Sequence, residues 1–166
     1  CTVPANTYQS NFSTVSLFDH LKLSASIASV MEIKNNDKFI ILDYDLSGIQ
    51  NFIFRITEGE DTKSQISKHF RARSFYLSVL SDVIAFYILR QFNLSYENIL
   101  YSSGGRGSIL LPDVDDLDER LKEISRVTEE ELFEKFNAEL FVSYTYRRVD
   151  SLQLKKETIS DLSGNY

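Results

Sequence analysis

The run from Ile40 to Gln50, Ile-Ile-Leu-Asp-Tyr-Asp-Leu-Ser-Gly-Ile-Gln, constrains the fold more than any other part of this chain, because it reads as a buried strand that ends in carboxylates and turns straight into a helix. Period-two alternation puts Phe39, Ile41, Asp43 and Asp45 on one face and Ile40, Leu42, Tyr44 and Leu46 on the other. Both carboxylates therefore point the same way. Ser47 stands three residues before Gln50, the spacing of a capping box, and Ile49, Phe52, Ile53 and Ile56 follow at helical intervals. A helix N-terminus beside an acidic strand end offers N–H groups to a phosphate and a carboxylate to the divalent ion that accompanies it. The same residues also fit a solvent-facing strand end with an ordinary cap, and the run alone does not choose between the two.

The remaining pattern supplies partners for this strand. Residues 1–15 are polar and without periodicity, and they read as a linker. From Ser16 a small-residue-rich helix is expected to present Leu17, Leu21, Ser24, Ala25 and Ala28 on one face, and the first strand follows at 38–45. A polar loop at 58–63 leads to a long helix at about 67–92, with Leu77, Leu80, Ile84, Tyr87 and Ile88 in one stripe and Val79, Val83 and Phe86 beside it. So wide an apolar face predicts packing against a sheet and a further element. Residues 98–103 and 108–111 read as strands joined by Gly104-Gly105-Arg106-Gly107, a tight hairpin because glycine accepts positive φ. The acidic run after Pro112 opens a helix with Leu117, Leu121 and Ile124 inward, and a second helical piece is expected at Thr128, with Glu131 in capping-box spacing. Residues 139–148 alternate as a final strand, and 149–166 read as a linker.

This order predicts an α+β, ferredoxin-like βαββαβ plan: a four-stranded antiparallel sheet with helices on one face. In such a sheet the end of the first strand lies beside the hairpin, so Asp43 or Asp45 neighbours Gly104-Gly105-Arg106-Gly107. The chain has 166 residues, enough for one domain with a sizeable core. Its net charge of -6 argues against wrapping duplex nucleic acid by bulk electrostatics, so an anion site has to be local. A single cysteine, Cys1, excludes an intramolecular disulfide and suits a reducing, cytoplasmic compartment. No run reaches the roughly 18 consecutive apolar residues of a membrane span, and no membrane contact is expected. A cysteine at position 1 fits a lipid-modified N-terminus or a segment of a longer polypeptide, and the expectation is the segment. No Ser/His/Asp or Cys/His arrangement points to nucleophilic catalysis, and His20 and His69 read as ordinary helix residues.

Three blocks in order, Asp45-Leu46-Ser47-Gly48-Ile49-Gln50, Arg71-Ala72-Arg73-Ser74-Phe75 and Tyr101-Ser102-Ser103-Gly104-Gly105, resemble the large subunit of type III CRISPR effector complexes. Ser16 to Lys22 resembles the segment leaving that family's HD nuclease domain, so the resemblance covers about 16–148. It implies a helical lead-in at 16–37 and the first of two palm domains at 38–148, related to nucleotide cyclases and polymerases. In that fold an Asp at the first strand end and a Gly-Gly-Asp-Asp hairpin hold two metal ions for phosphoryl transfer. Here Gly-Gly-Arg-Gly replaces the hairpin carboxylates, so the resemblance implies a non-catalytic palm.

Such a palm would contribute ATP binding, with Mg2+ or Mn2+, only together with the second palm of the same polypeptide, which makes cyclic oligoadenylates. The expected nucleotide-binding residues are Asp45, Ser47, Gly48, Gly104, Gly105 and Arg106, with Asp45 the single metal candidate. Lys68, Arg71 and Arg73 form a second group for phosphate or partner contact. Other subunits of the effector complex would be direct partners, and guide and target RNA mostly indirect ones. The rival readings are an autonomous or degenerate nucleotidyl cyclase and a plain ferredoxin-like protein-interaction module. Asp19 and His20 could belong to an upstream HD metal site, which this chain cannot assemble alone.

Overall fold

A computed structural model describes residues 16–34, 38–54 and 63–150. The expected linkers at 1–15 and beyond 150 and the polar loop lie outside them, or mostly so. The elements are α1 (Leu17–Ile33), β1 (Lys38–Ser47), α2 (Ile49–Phe54), α3 (Lys63–Gln91), a 3-10 turn at Tyr96–Asn98, β2 (Ile99–Ser103), β3 (Arg106–Pro112), α4 (Leu117–Phe136) and β4 (Phe141–Asp150). Each strand pairs antiparallel with its neighbours in the order β2-β3-β1-β4, which is the ferredoxin-like arrangement expected from the sequence.

The alternation in β1 sets the layers. Ile40, Leu42, Tyr44 and Leu46 are buried with Leu77, Ile84, Ile88 and Leu89 of α3 and with Leu117 and Ile124 of α4, so both α3 and α4 cover this face. Burial of so continuous an apolar surface is the main force holding the sheet to its helices. Val79, Val83 and Phe86 of α3 stay exposed, so among the described residues the long helix is sealed on its sheet side, and the flanking stripe is uncovered. By length and composition α3 would also suit a membrane span. Its inner side, however, is taken up by the core.

On the opposite face, Phe39 and Ile41 join Leu110 and Val149 beneath Val30 of α1. The face of α1 predicted from Leu17, Leu21 and Ala25 is the outer one, with Leu21 58% exposed. Leu23, Ser26, Ile27 and Val30, at i, i+3, i+4 and i+7, turn inward instead. The deciding contact is polar. Asn98 has no solvent exposure, and its side-chain amide donates towards the Ser26 carbonyl at 3.3 Å, the Ser26 hydroxyl at 3.2 Å and the Leu110 carbonyl at 3.2 Å. Its carbonyl oxygen accepts from Ser29 at 3.0 Å.

Two other expectations change. The helix after Pro112 is continuous through Thr128, whose hydroxyl donates to the Ile124 carbonyl at 2.7 Å rather than capping a new helix. The strand β4 runs on to Asp150, and Val149, read as the start of a linker, is buried.

Candidate functional site

Because α1 covers only one end of the second sheet face, the other end is bare among the described residues. There the register aligns Tyr101, Ser108, Asp43 and Thr145 across the four strands, and Ser103, Arg106, Asp45 and Ser143 in the next row. Residues opposite one another in a ladder share a face, so these two rows form a polar half-sheet. Asp43, Asp45, Tyr101, Arg106, Ser143 and Thr145 line a shallow depression of about 250 Å³.

The depression is built around one ion pair. Arg106 stands opposite Asp45 in the ladder, and its Nε donates to Asp45 Oδ1 at 2.9 Å. The hydrogen bond and charge of Asp45 raise the Arg106 pKa above its ordinary value. Asp43 accepts from the Ser108 hydroxyl at 2.5 Å, and Ser143 donates to the Asp45 backbone carbonyl at 3.4 Å. Arg106 and Gly107 lie inside β3 rather than in a four-residue turn, because the strand starts two residues earlier than expected.

That leaves Gly104-Gly105 as a two-residue turn with φ of 61° and 89°, the positive pair that a type I′ hairpin requires. Gly105 packs so closely on α2 that an added Cβ would lie 2.5 Å from Ile49 Cδ1, and its carbonyl accepts from Leu46 N–H at 2.8 Å. Gly107 leaves room for the Tyr44 ring, 2.4 Å from where a Cβ would stand. The Tyr44 hydroxyl is bonded beneath the sheet to Ser81 and Ser102, each at 3.1 Å, and this holds the floor of the depression rigid.

Asp45, Arg106, Gly104 and Gly105 thus come together as expected. Ser47 and Gly48 do not extend the site in the expected way. Ser47 ends β1 opposite Phe141, and it is the Gly48 carbonyl that accepts the first helical bond, from Phe52 N–H at 3.1 Å. The capping box is therefore not formed. Gly48 has φ 86°, and a Cβ there would meet the Glu139 carbonyl oxygen at 1.9 Å, so this glycine serves a close backbone crossing.

The cationic group lies on α3, on the other side of the sheet. Arg73 donates to the Ile53 carbonyl at 3.3 Å, at the C-terminal end of α2, where a cation meets the negative end of the helix dipole. Arg71 bonds Ser67 at 3.1 Å, and Lys68 is exposed. Asp19 and His20 are exposed on the first turn of α1, where the Asp19 N–H donates to the Ser16 cap at 3.1 Å.

A divalent ion does not fit the donors on the bare face. The Asp45 carboxylate is engaged by Arg106 and that of Asp43 by Ser108, and no group of three or more His, Cys, Asp or Glu among the described residues is placed to hold a metal ion. The sequence reading missed Tyr101, Ser108, Ser143 and Thr145. Alternation gives their parity, but only the strand register brings them beside Asp43 and Asp45.

Comparison with known proteins fits this geometry. A family model described as Csm1 subunit domain B matches residues 38–165. A relative from Mycobacterium tuberculosis, described as CRISPR system single-strand-specific deoxyribonuclease Cas10/Csm1 of subtype III-A, is 31% identical over 162 residues, covering 85% of this chain and 19% of its own length. One of the same description from Methanocaldococcus jannaschii is 33% identical, covering 86% of this chain and 21% of its own. The chain therefore spans about a fifth of the length of these curated relatives.

Among solved structures, Csm1 of Thermococcus onnurineus superposes with a TM-score of 0.76 at 27% identity, over 93% of this chain and 23% of that one. A Csm1–Csm4 cassette in complex with one ATP gives 0.72 at 27% identity, over 84% and 20%. The cassette in complex with cA4 gives 0.74 at 25% identity, over 97% and 24%.

Proposed function

The chain belongs to the Csm1 subunit domain B family, and from that premise we propose that it is a non-catalytic palm whose bare polar half-sheet forms one wall of an ATP cleft. The cleft is closed by a second palm of the same polypeptide, which carries out cyclic oligoadenylate synthesis in a type III effector. The observation that carries this reading is the incomplete cover of the second sheet face. Among the described residues an apolar end is sealed by α1, while a polar end around Asp45 and Arg106 is left open beside a glycine hairpin. An exposed sheet face with convergent polar groups and a rigid floor is suited to a flat, hydrogen-bonding ligand. The ATP-bound and cA4-bound Csm1–Csm4 relatives support the identity of that ligand.

In this reading Tyr101 offers a ring to a base, while Arg106, Ser143 and Thr145 offer donors to sugar or phosphate oxygens. The Mg2+ or Mn2+ that accompanies ATP would be held by the second palm, because the donors here do not fit it. A scaffolding role rests on the outer side of α3, where Phe75, Val79, Val83 and Phe86 are exposed, and a subunit of the Csm4 type is one partner such a surface would serve. Guide and target RNA would be reached through those partners. The setting is cytoplasmic.

The test is a titration of the isotopically labelled chain with ATP, alone and with the second palm supplied. The reading expects ATP-dependent amide shifts at Asp43, Tyr101, Arg106 and Thr145 only in the presence of the second palm. ATP turnover by the chain alone would favour the cyclase reading. No shift on this face under either condition would favour a plain interaction module.

A further inference from the structure

We infer that Arg106 is the built-in cation of this site: its guanidinium is bonded to Asp45 across the β1–β3 ladder and sets a positive charge beside the carboxylates that a divalent ion would need, so this wall engages its ligand without a metal of its own. The wall carries two carboxylates, Asp43 and Asp45, two residues apart on one strand face, and one guanidinium directly opposite the second of them. The contact is a single bond from Nε at 2.9 Å. It takes up a carboxylate oxygen that a hard cation would need and places a positive charge where a second one would be repelled.

The hairpin enforces this placement. With both turn glycines at positive φ and Gly105 seated on Ile49, the first residue of β3 has to stand beside Asp45, and that residue is Arg106. Asp45 engages only Nε. The Arg106 nitrogens Nη1 and Nη2 have no hydrogen-bond partner among the described residues and are available to an anionic oxygen.

It follows that one side chain separates this face from a divalent-cation site. Replacing Arg106 by aspartate would set a third carboxylate directly opposite Asp45, at the roughly 5 Å spacing of paired side chains in an antiparallel ladder. That is the oxygen-rich, anionic donor set that Mg2+ and Mn2+ take. The inference rests on the reading of this face as a nucleotide edge only for the nature of the ligand. Nucleotide is left out of the test, so the two readings can fail separately.

The probe is Mn2+ alone, added to the labelled 166-residue chain, with paramagnetic broadening of backbone amides read residue by residue. The wild-type chain should show no selective broadening at Asp43, Asp45 or Arg106. R106D should show selective broadening there and bind Mn2+ about tenfold or more tightly than wild type, since affinity follows ligand charge. The double variant R106D/D45N should lose that gain. R106Q frees Asp45 without adding a carboxylate and keeps the proposal testable if R106D does not fold, because it too should broaden Asp45 where wild type does not. Selective Mn2+ binding at Asp45 in the wild-type chain would overturn the inference. So would folded R106D and R106Q variants that bind no more Mn2+ than wild type.

Discussion

Replacing Asn98 by alanine should unfasten α1 from the sheet, and the structure sets the size of the effect. The Asn98 side chain is wholly buried and faces four groups: the Ser26 carbonyl, the Ser26 hydroxyl, the Leu110 carbonyl and the Ser29 hydroxyl. An amide NH2 has two hydrogens, so the three acceptors share two good bonds, and the carbonyl oxygen adds a third. At about 1 kcal/mol net per bond, the loss is ~3 kcal/mol. The single Ser29 hydroxyl hydrogen has the Ser26 carbonyl at 2.9 Å as its alternative acceptor, so it is not orphaned by the change, which argues against a larger figure.

For a domain of this size, ~3 kcal/mol corresponds to a fall in Tm of roughly 6–12 °C. Ser29→Ala, which removes one of the bonds to Asn98, should cost about 1 kcal/mol. The assay is urea unfolding combined with amide hydrogen exchange. Exchange protection should fall first in α1, from Ser26 to Val30, while β1 stays protected. A loss below about 1 kcal/mol, or equal loss of protection in α1 and β1, would refute the idea that this one side chain determines which face of α1 turns inward.

The glycines give a graded test. Gly48→Ala and Gly107→Ala place a Cβ at 1.9 Å from the Glu139 carbonyl oxygen and 2.4 Å from the Tyr44 ring, and each should destabilise by more than about 2 kcal/mol. Gly104→Asn should be nearly neutral in the same denaturation assay, because that Cβ meets nothing within 4 Å and asparagine tolerates φ of 61°. Tyr144 is held above the ordinary tyrosine value of 10.0, chiefly by burial. A raised folded pKa stabilises the neutral form below the unfolded value, so stability should fall as pH rises above about 10. Absorbance titration at about 295 nm should then detect the Tyr144 phenolate only as the chain unfolds, and Tyr144→Phe should flatten that alkaline slope. Arg106→Ala should leave the thermal midpoint unchanged, since the pair with Asp45 is exposed. A fall in that midpoint on calorimetry would mean the pair is structural.

Much of the fold was legible because its determinants are local. Alternation in β1 separated Tyr44 from Asp43 correctly, the Leu77, Ile84 and Ile88 stripe of α3 does pack on the sheet, and the hairpin falls within the expected glycine run, though as the two-residue turn Gly104-Gly105. The errors have a common cause, which is that short-range spacing does not reveal competition from a distant group. Thr128 has the spacing of a cap but bonds within a continuous helix and accepts from Tyr144 of β4 at 3.0 Å. Ser47 has the same spacing, yet strand pairing with Phe141 extends β1 through it. The face of α1 was misassigned because small residues carry little hydrophobic signal, and Asn98, 72 residues beyond Ser26, supplied the deciding bonds.

The amino-acid sequence by itself determined the order of elements, the parity of every residue along β1 and the absence of carboxylates from the hairpin, since each follows from neighbours along the chain. Only the tertiary structure decided which polar residues share a face. Arg106 meets Asp45 across 61 positions and Ser143 meets it across 98, in a register fixed by the type I′ turn and the packing of Gly105 on Ile49. It also decided that the cations of α3 lie behind the sheet rather than beside that pair. A strand alternates its side chains without regard to what will lie opposite them, so the chemistry of the site waits on pairing.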